Sequence, residues 1–325
     1  MTEVRSDERT LLVASTGGHL EQLYRLSRGF IPESHGVHWV THDDQQSRSL
    51  LAEESVEWVP YVPPRGYREM LSLLPVARRI LREGNYRRVV STGAGMSLSF
   101  FLQARRMGID CYYIESAART EGPSMTGRLL RHVPGMHLYC QYEHWADDRW
   151  TYQGSLFDTF EVEEVPPRPI RRVVVTLGTM RTYPFTRLTE RINELLPDVV
   201  EPGADILWQV GATPAWGLTG RVHESVPHRE LQAAITEADL VIAHAGIGSA
   251  LAALERGKRP VLVPRRAELG EHVDDHQTLI AAELGWRNLS VSAEADRLTA
   301  ADLRRAAEGR VVSADRNFAF ALEPS

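Results

Sequence analysis

Lysine is almost missing from this sequence of 325 residues: Lys258 is the only one, and the positive charge is otherwise arginine. With a formal net charge of −6 the chain also lacks the basic excess that phosphate backbones attract, which argues against general nucleic-acid binding. Cysteine is scarce as well. Cys111 and Cys140 make no disulfide framework, and the opening MTEVRSDERT holds no apolar signal-peptide core, so the expected location is the reducing cytoplasm. No run approaches the roughly 18 apolar residues of a spanning helix; Met96 to Leu102, among the longest, is interrupted by serines. Any membrane contact is therefore expected to be peripheral, at the inner face of the cell membrane.

What is present is ordinary globular composition, 43% hydrophobic and 25% charged. It is enough chain for two cores of roughly 150 residues each. Apolar runs alternate with helical patterns. TLLVAS, HGVHWVT, RRVVSTG and DCYYIES read as strands, and GHLEQLYRLSRGF, REMLSLLPVARRILREG and AGMSLSFFLQARRMG as the helices between them. The charged, proline-rich EVEEVPPRPIR (161–171) reads as a linker, after which the alternation restarts with RRVVVTLG and runs to HQTLIAAELG. The expectation is an α/β protein of two Rossmann-like βα domains, 1–165 and 166–325, each with a doubly wound parallel sheet.

Ligands of open parallel sheets bind beyond the carboxyl ends of the strands, so the strand-to-helix corners are the places to look. The run HAGIGS places His244, Gly246, Ile247, Gly248 and Ser249 between a strand and a helix. Glycines there allow close backbone approach, and free N–H groups at a helix start favour a phosphate; a plain glycine turn capped by Ser249 is the competing reading. One strand later, EHVDDHQ offers Glu271, Asp274, Asp275 and Gln277, groups that suit the vicinal hydroxyls of a sugar or ribose. An acidic first turn opposing the helix dipole explains the same residues. A zinc site from His272, Asp275 and His276 is the weakest of the three readings, because its spacing matches no strong ligand pattern. VTLGT adds Gly178 and Thr179 as candidates for a second phosphate or an acceptor.

The motifs VTLGT, HAGIGSALAALERGKRPVLVP and EHVDDHQ resemble, in order and spacing, the C-terminal domain of glycosyltransferase family 28. STGGHLEQLYRL, STGAG and YYIESAARTEGPSMTGRLLRHV resemble the partner half. Together they look like the two subunits of the eukaryotic UDP-N-acetylglucosamine transferase of dolichyl-diphosphate-linked oligosaccharide synthesis, joined in one chain as in some bacterial exopolysaccharide transferases. The resemblance implies a GT-B architecture, two domains facing across a cleft, and an inverting, metal-independent transfer of a sugar from a UDP-sugar to a lipid-diphosphate-linked saccharide. It implies no cofactor beyond the donor itself. It places the corner of Gly246, Gly248 and Ser249 on the donor diphosphate. Asp274, Asp275 and Gln277 would lie toward ribose or sugar, and Val226 and His228 in the uracil place.

In the first half, Gly17, Gly18 and His19 form the corner that the architecture turns toward the donor. His19 is suited to take the acceptor's proton, while a first-turn contact with diphosphate or backbone is the alternative. Glu115 is the second candidate base, or else a partner of Arg119. Residues 61–88 carry seven arginines among apolar positions and, with 127–138, fit an anionic membrane surface; a helix with its apolar face in the core has the same pattern. A soluble acceptor, a UDP-sugar epimerase of the same shape and a non-catalytic nucleotide-sugar-binding subunit remain open readings.

Overall fold

Strands that are apolar along their whole length bury both faces, and here they do so in two parallel sheets. The computed structural model describes residues 9–31, 36–63, 66–178, 182–314 and 322, and the chain divides into two units.

The first unit takes residues up to Phe157 together with those from Arg316 onward. Its elements in chain order are β1 (Arg9–Ala14), α1 (Gly18–Phe30), β2 (Val37–His42), α2 (Gln45–Leu50), β3 (Val56–Val59), α3 (Tyr67–Gly84), β4 (Tyr86–Gly93), α4 (Gly95–Arg106), β5 (Asp110–Ile114), α5 (Met125–Leu130), β6 (Met136–Cys140) and β7 (Trp150–Tyr152). The strands lie in the order β3-β2-β1-β4-β5-β6-β7, and each neighbouring pair is parallel. The winding therefore reverses between β1 and β4. Leu11, Val13, Val89, Phe100, Phe101, Tyr113 and Trp150 are among the side chains that fill the core, each worth roughly 1.5–3 kcal/mol when fully buried.

Helix α3 shows which of two readings of residues 61–88 its packing favours. Leu73, Ala77, Ile80 and Leu81 recur at helical spacing and are buried, so most of the apolar stripe belongs to the core. Tyr67 and Leu71, 60% and 57% exposed, are the large apolar side chains that this helix leaves outside, beside the exposed Arg68, Arg78, Arg79 and Arg82. No helix among the described residues is long and apolar enough to cross a membrane.

The second unit, Asp158–Asp315, contains β8 (Phe160–Glu164), β9 (Arg172–Thr176), α6 (Thr186–Leu195), β10 (Asp205–Gln209), β11 (Arg221–His223), α7 (His228–Glu237), β12 (Leu240–His244), α8 (Ile247–Leu254), β13 (Val261–Val263), α9 (His276–Trp286), β14 (Val291–Ser292), α10 (Ala300–Ala307) and β15 (Gly309–Ser313). Its main sheet runs β11-β10-β9-β12-β13-β14, again parallel throughout, and reverses between β9 and β12.

The stretch 161–171, expected to be a linker, starts inside β8, which pairs antiparallel with β15 from Phe160↔Ser313 to Gly309↔Glu164. A ladder to residues 309–313 commits β8 to the second unit, and the division falls between Phe157 and Asp158 where the sequence reading put it at 165/166. The C-terminal end groups with the first unit, where the buried Leu322 accepts a hydrogen bond from the Tyr139 hydroxyl.

Candidate functional sites at the switch point of each unit

A sheet whose strand order reverses leaves a crevice beyond the strand ends at the reversal. In the second unit His244, the last residue of β12, occupies that place. Its Nδ1 lies 3.5 Å from the Thr176 carbonyl at the end of β9 and 3.4 Å from Ser249 Oγ. A Cβ on Gly246 would stand 2.3 Å from His244 Nε2, and one on Gly178 would stand 2.8 Å from its Cε1. Both positions are glycine because the imidazole takes the volume a side chain needs; Gly178, at φ +79°, also has a backbone that favours glycine. His244 is thus the wedge between two corners. Ser249 holds that wedge and makes no side-chain cap on α8. The N–H groups of Ile247, Gly248 and Ser249 have no acceptor among the described residues and stand at the positive end of the helix, an arrangement suited to an anion.

Burial, reinforced by the Arg265 guanidinium, pulls the His244 pKa from 6.5 down to about 3, so the ring is neutral near neutrality. The unfolded chain takes up that proton first. The associated stability is complete above pH 6.5 and is lost as pH falls from there toward 3. In urea unfolding between about pH 7 and about pH 4, the native chain is expected to lose more stability than His244→Asn; parallel losses would contradict this.

The other corners are tied to this one. Val226 donates its N–H to Gln209 Oε1 at 2.9 Å, and Gln209 Nε2 donates to Thr176 Oγ1 at 2.9 Å. The Val226 N–H, expected near a base, is therefore already engaged. His228 opens α7, its pKa lowered by burial. Arg265, 1% exposed and stacked on the Phe185 ring, donates to the carbonyls of Leu177, Tyr183 and Glu271 at 2.9, 2.8 and 3.2 Å. It clamps the corner after β9 to the loop after β13.

Within EHVDDHQ the residues separate by role. Glu271 is buried, holds Arg187 with both oxygens at 2.7 and 3.0 Å, and accepts the Arg266 N–H at 2.9 Å. That carboxylate is spent on the scaffold, which corrects its expected place on the ligand. Gln277 is buried too, its Oε1 accepting the Arg265 N–H at 3.1 Å. Asp275 Oδ1 accepts the Ala267 N–H at 2.9 Å, whereas Asp274 turns toward His272 and His276. Thr179 lies outside the described residues. Gln209, Thr176 and Arg265 were not among the sequence candidates; their signal was a polar residue closing or directly following an apolar strand, as in DILWQ, RVVVT and VLVPR.

In the first unit His19 stands at the reversal between β1 and β4. Gly17, at φ +80°, precedes α1, and Gly18 and His19 are its first residues. His19 Nδ1 donates to the Thr92 carbonyl at 2.9 Å, and the Thr92 hydroxyl returns a bond of 2.7 Å to the His19 carbonyl. With the ring hydrogen on Nδ1, the basic lone pair sits on Nε2. A Cβ on Gly93 would stand 3.0 Å from His19 Cε1, so glycine at 93 makes room for the ring. Ala94, next in the chain, has φ 70° and ψ 161°, a glycine-type conformation that costs an alanine of order 1–3 kcal/mol.

Glu115 is not placed to act as a base. It is buried, and its oxygens accept from the Tyr113 hydroxyl (3.1 Å), the Ser116 N–H (3.1 Å), the Ser124 N–H (2.9 Å) and the Ser124 hydroxyl (3.0 Å). Four donors take the four lone-pair directions of a carboxylate. Burial raises its pKa against those four bonds, and it pairs with no arginine among the described residues. Its work is to fix the loop from Ser116 to Ser124. Glu115→Ala is expected to cost about 2–3 kcal/mol in urea unfolding by orphaning buried donors; a loss under about 0.5 kcal/mol, the scale of an ordinary surface change, would overturn this role.

Residues 173–310 match the glycosyltransferase family 28 C-terminal domain. Among curated proteins no sequence matches. MurG from Acinetobacter baumannii is similar in structure at a TM-score of 0.55 and 17% identity, over 91% of this chain and 88% of that one. The glycosyltransferase SnogD from Streptomyces nogalater gives 0.60 and 21%, over 93% and 91%. The glycosyltransferase SsfS6 of Streptomyces sp. SF2575, in complex with thymidine diphosphate, gives 0.55 and 19%, over 92% and 94%. Two doubly wound parallel sheets, a switch-point corner in each and a matched family domain lead to one conclusion: the chain has the fold of these solved glycosyltransferases, and its residues 173–310 match a family 28 C-terminal domain.

Proposed function

We propose that the chain transfers a sugar, N-acetylglucosamine in the first instance, from a UDP-sugar to a hydroxyl of a lipid-diphosphate-linked saccharide, with inversion, in polysaccharide or glycolipid synthesis. The observation that carries this reading is the β12–α8 corner, where the N–H groups of Ile247, Gly248 and Ser249 converge at a sheet reversal within a family 28 domain. A nucleoside diphosphate bound to SsfS6 supports a diphosphate leaving group for this fold.

In the proposed step His19 Nε2 takes the acceptor proton. The resulting oxygen attacks the anomeric carbon, and the bond from that carbon to the diphosphate oxygen breaks. The electron pair leaves with UDP, whose added charge is met by the three N–H groups and the helix dipole. No metal enters this step. Gly178 and the ends of Asp274 and Gln277 remain as candidates for the rest of the donor, and His228 for its base.

The resemblance of STGGHLEQLYRL, STGAG and YYIESAARTEGPSMTGRLLRHV to a transferase of dolichyl-diphosphate-linked oligosaccharide synthesis supports a lipid-linked acceptor. Tyr67 and Leu71 with Arg68, and Met125 and Leu129 with Arg128, are exposed apolar-basic pairs fit for an anionic leaflet at the cytoplasmic face. A second reading, a soluble acceptor, is favoured by the burial of Leu73, Ala77, Ile80 and Leu81, which removes most of the α3 stripe from any membrane. The test is calorimetry across UDP-sugars, then turnover with a polyprenyl-diphosphate-linked sugar and with UDP-sugar alone. Binding of no UDP-sugar would end the donor reading, and an epimer formed without acceptor would replace transfer by epimerisation.

A further inference from the structure

One cluster in the second unit has a chemistry that the transfer step leaves unused. His272, Asp274 and His276 each offer a ligand atom, and these atoms lie within 4.8 Å of one another. His272 Nδ1 is 3.2 Å from Asp274 Oδ1, and His276 Nδ1 meets the same oxygen. The imidazoles pack edge to face with centroids 4.7 Å apart. Two imidazole nitrogens thus converge on one carboxylate oxygen, one from the loop before α9 and one from the first residue of that helix.

The segment is held before the cluster and within it: Arg265 donates to the Glu271 carbonyl at 3.2 Å, and Asp275 Oδ1, between Asp274 and His276, accepts the Ala267 N–H at 2.9 Å. The His272 side chain is 8% exposed and anchored, whereas Asp274 and His276, at 45% and 25%, have room to turn and leave a path for an ion. Zinc bonds of about 2.0–2.2 Å put neighbouring ligand atoms roughly 3–4 Å apart, a spacing these side chains reach by small rotations. Two imidazoles and one carboxylate select a borderline transition metal over magnesium or calcium, which favour oxygen shells. The carboxylate is Asp274; its neighbour Asp275, named with the two histidines in the weakest of the sequence readings, accepts the Ala267 N–H instead.

We propose that His272, Asp274 and His276 form a binding site for one transition-metal ion of the zinc class, with at least one coordination position left for water or an anion. The ion is outside the transfer step. Because Asp274 is also assigned to the donor, an ion held there competes with UDP, a consequence that rests on the donor-site reading above.

The test is zinc titration by calorimetry on the untagged, chelator-stripped full chain, with magnesium as comparison. One zinc per chain is expected, with no matching magnesium isotherm. Asp274→Asn and His276→Gln are expected to weaken zinc by more than the roughly 10–100-fold that loss of a mere outer-shell partner costs, and Asp275→Asn by less. Zinc should raise the melting temperature of the native chain and leave that of the two weak variants unmoved. No stoichiometric binding, or equal binding by the native chain and both variants, overturns the site and leaves a hydrogen-bonded cluster only. UDP titrations then separate the two readings. UDP that fails to bind the metal-free chain sinks the donor site without touching the zinc isotherm, and UDP binding equally well with zinc loaded overturns the sharing of Asp274.

Discussion

His19→Ala is expected to lower turnover by roughly 10²–10⁴ while leaving UDP affinity unchanged. The expectation rests on where the proton sits. The Thr92 carbonyl takes the Nδ1 hydrogen at 2.9 Å and thereby keeps Nε2 basic, and the Thr92 hydroxyl holds the His19 backbone at 2.7 Å, so ring and main chain are fixed from one strand. Alanine keeps the backbone bond and removes the base. His19→Gln restores a side-chain donor for the Thr92 carbonyl but no basic nitrogen, so it is expected to be as slow as alanine. Recovery of turnover with glutamine would mean that the residue positions the corner and takes no proton. Isothermal titration with UDP and initial rates at saturating donor, on both variants, decide between the two.

Gly246→Ala is expected to weaken UDP through a clash that a second substitution removes. The new Cβ would stand 2.3 Å from His244 Nε2, and Gly246 has φ −84°, a backbone alanine adopts without strain. The cost is therefore steric. The ring must leave its contacts with Thr176 and Ser249, which disturbs the first turn of α8. Overpacking of this kind costs roughly 1–3 kcal/mol, or about 5- to 150-fold in affinity if it falls on the bound state. In His244→Ala/Gly246→Ala the ring is gone and the added methyl has space, so the double variant should bind UDP better than the sum of the single losses predicts. Gly246→Ala that binds UDP like the native chain, or a double variant that merely adds the two losses, would contradict the wedge.

How far the sequence could be read follows from what each element needs. Helix α1 falls on GHLEQLYRLSRGF, β9 lies within RRVVVTLG, and β1 and β4 match TLLVAS and RRVVSTG to within one residue, because the central parts of these strands are buried and mainly apolar. The short strands β7, β11 and β14 carry too few residues for periodicity to show. Strand β8 was hidden for another reason. FEVEE buries only Phe160, and its partner β15 lies far along the chain, so charge and prolines spoke for a linker.

The corners were legible as well, since glycine, histidine and serine at a strand end are a local signal. What each residue does there was not. Glu271 and Asp274 stand three positions apart in one acidic run, yet the first is consumed by Arg187 and the second turns to two histidines. Glu115 passes in sequence for a base and in space is saturated by four donors. The sequence by itself determined two parallel α/β units, the strand ends where chemistry belongs and a family 28 domain. Only the tertiary structure decided which polar groups are spent on the scaffold and which remain to act. Hydrogen-bond satisfaction is set by neighbours many residues away, such as Thr92 for His19 and Arg187 for Glu271, and no local pattern encodes them.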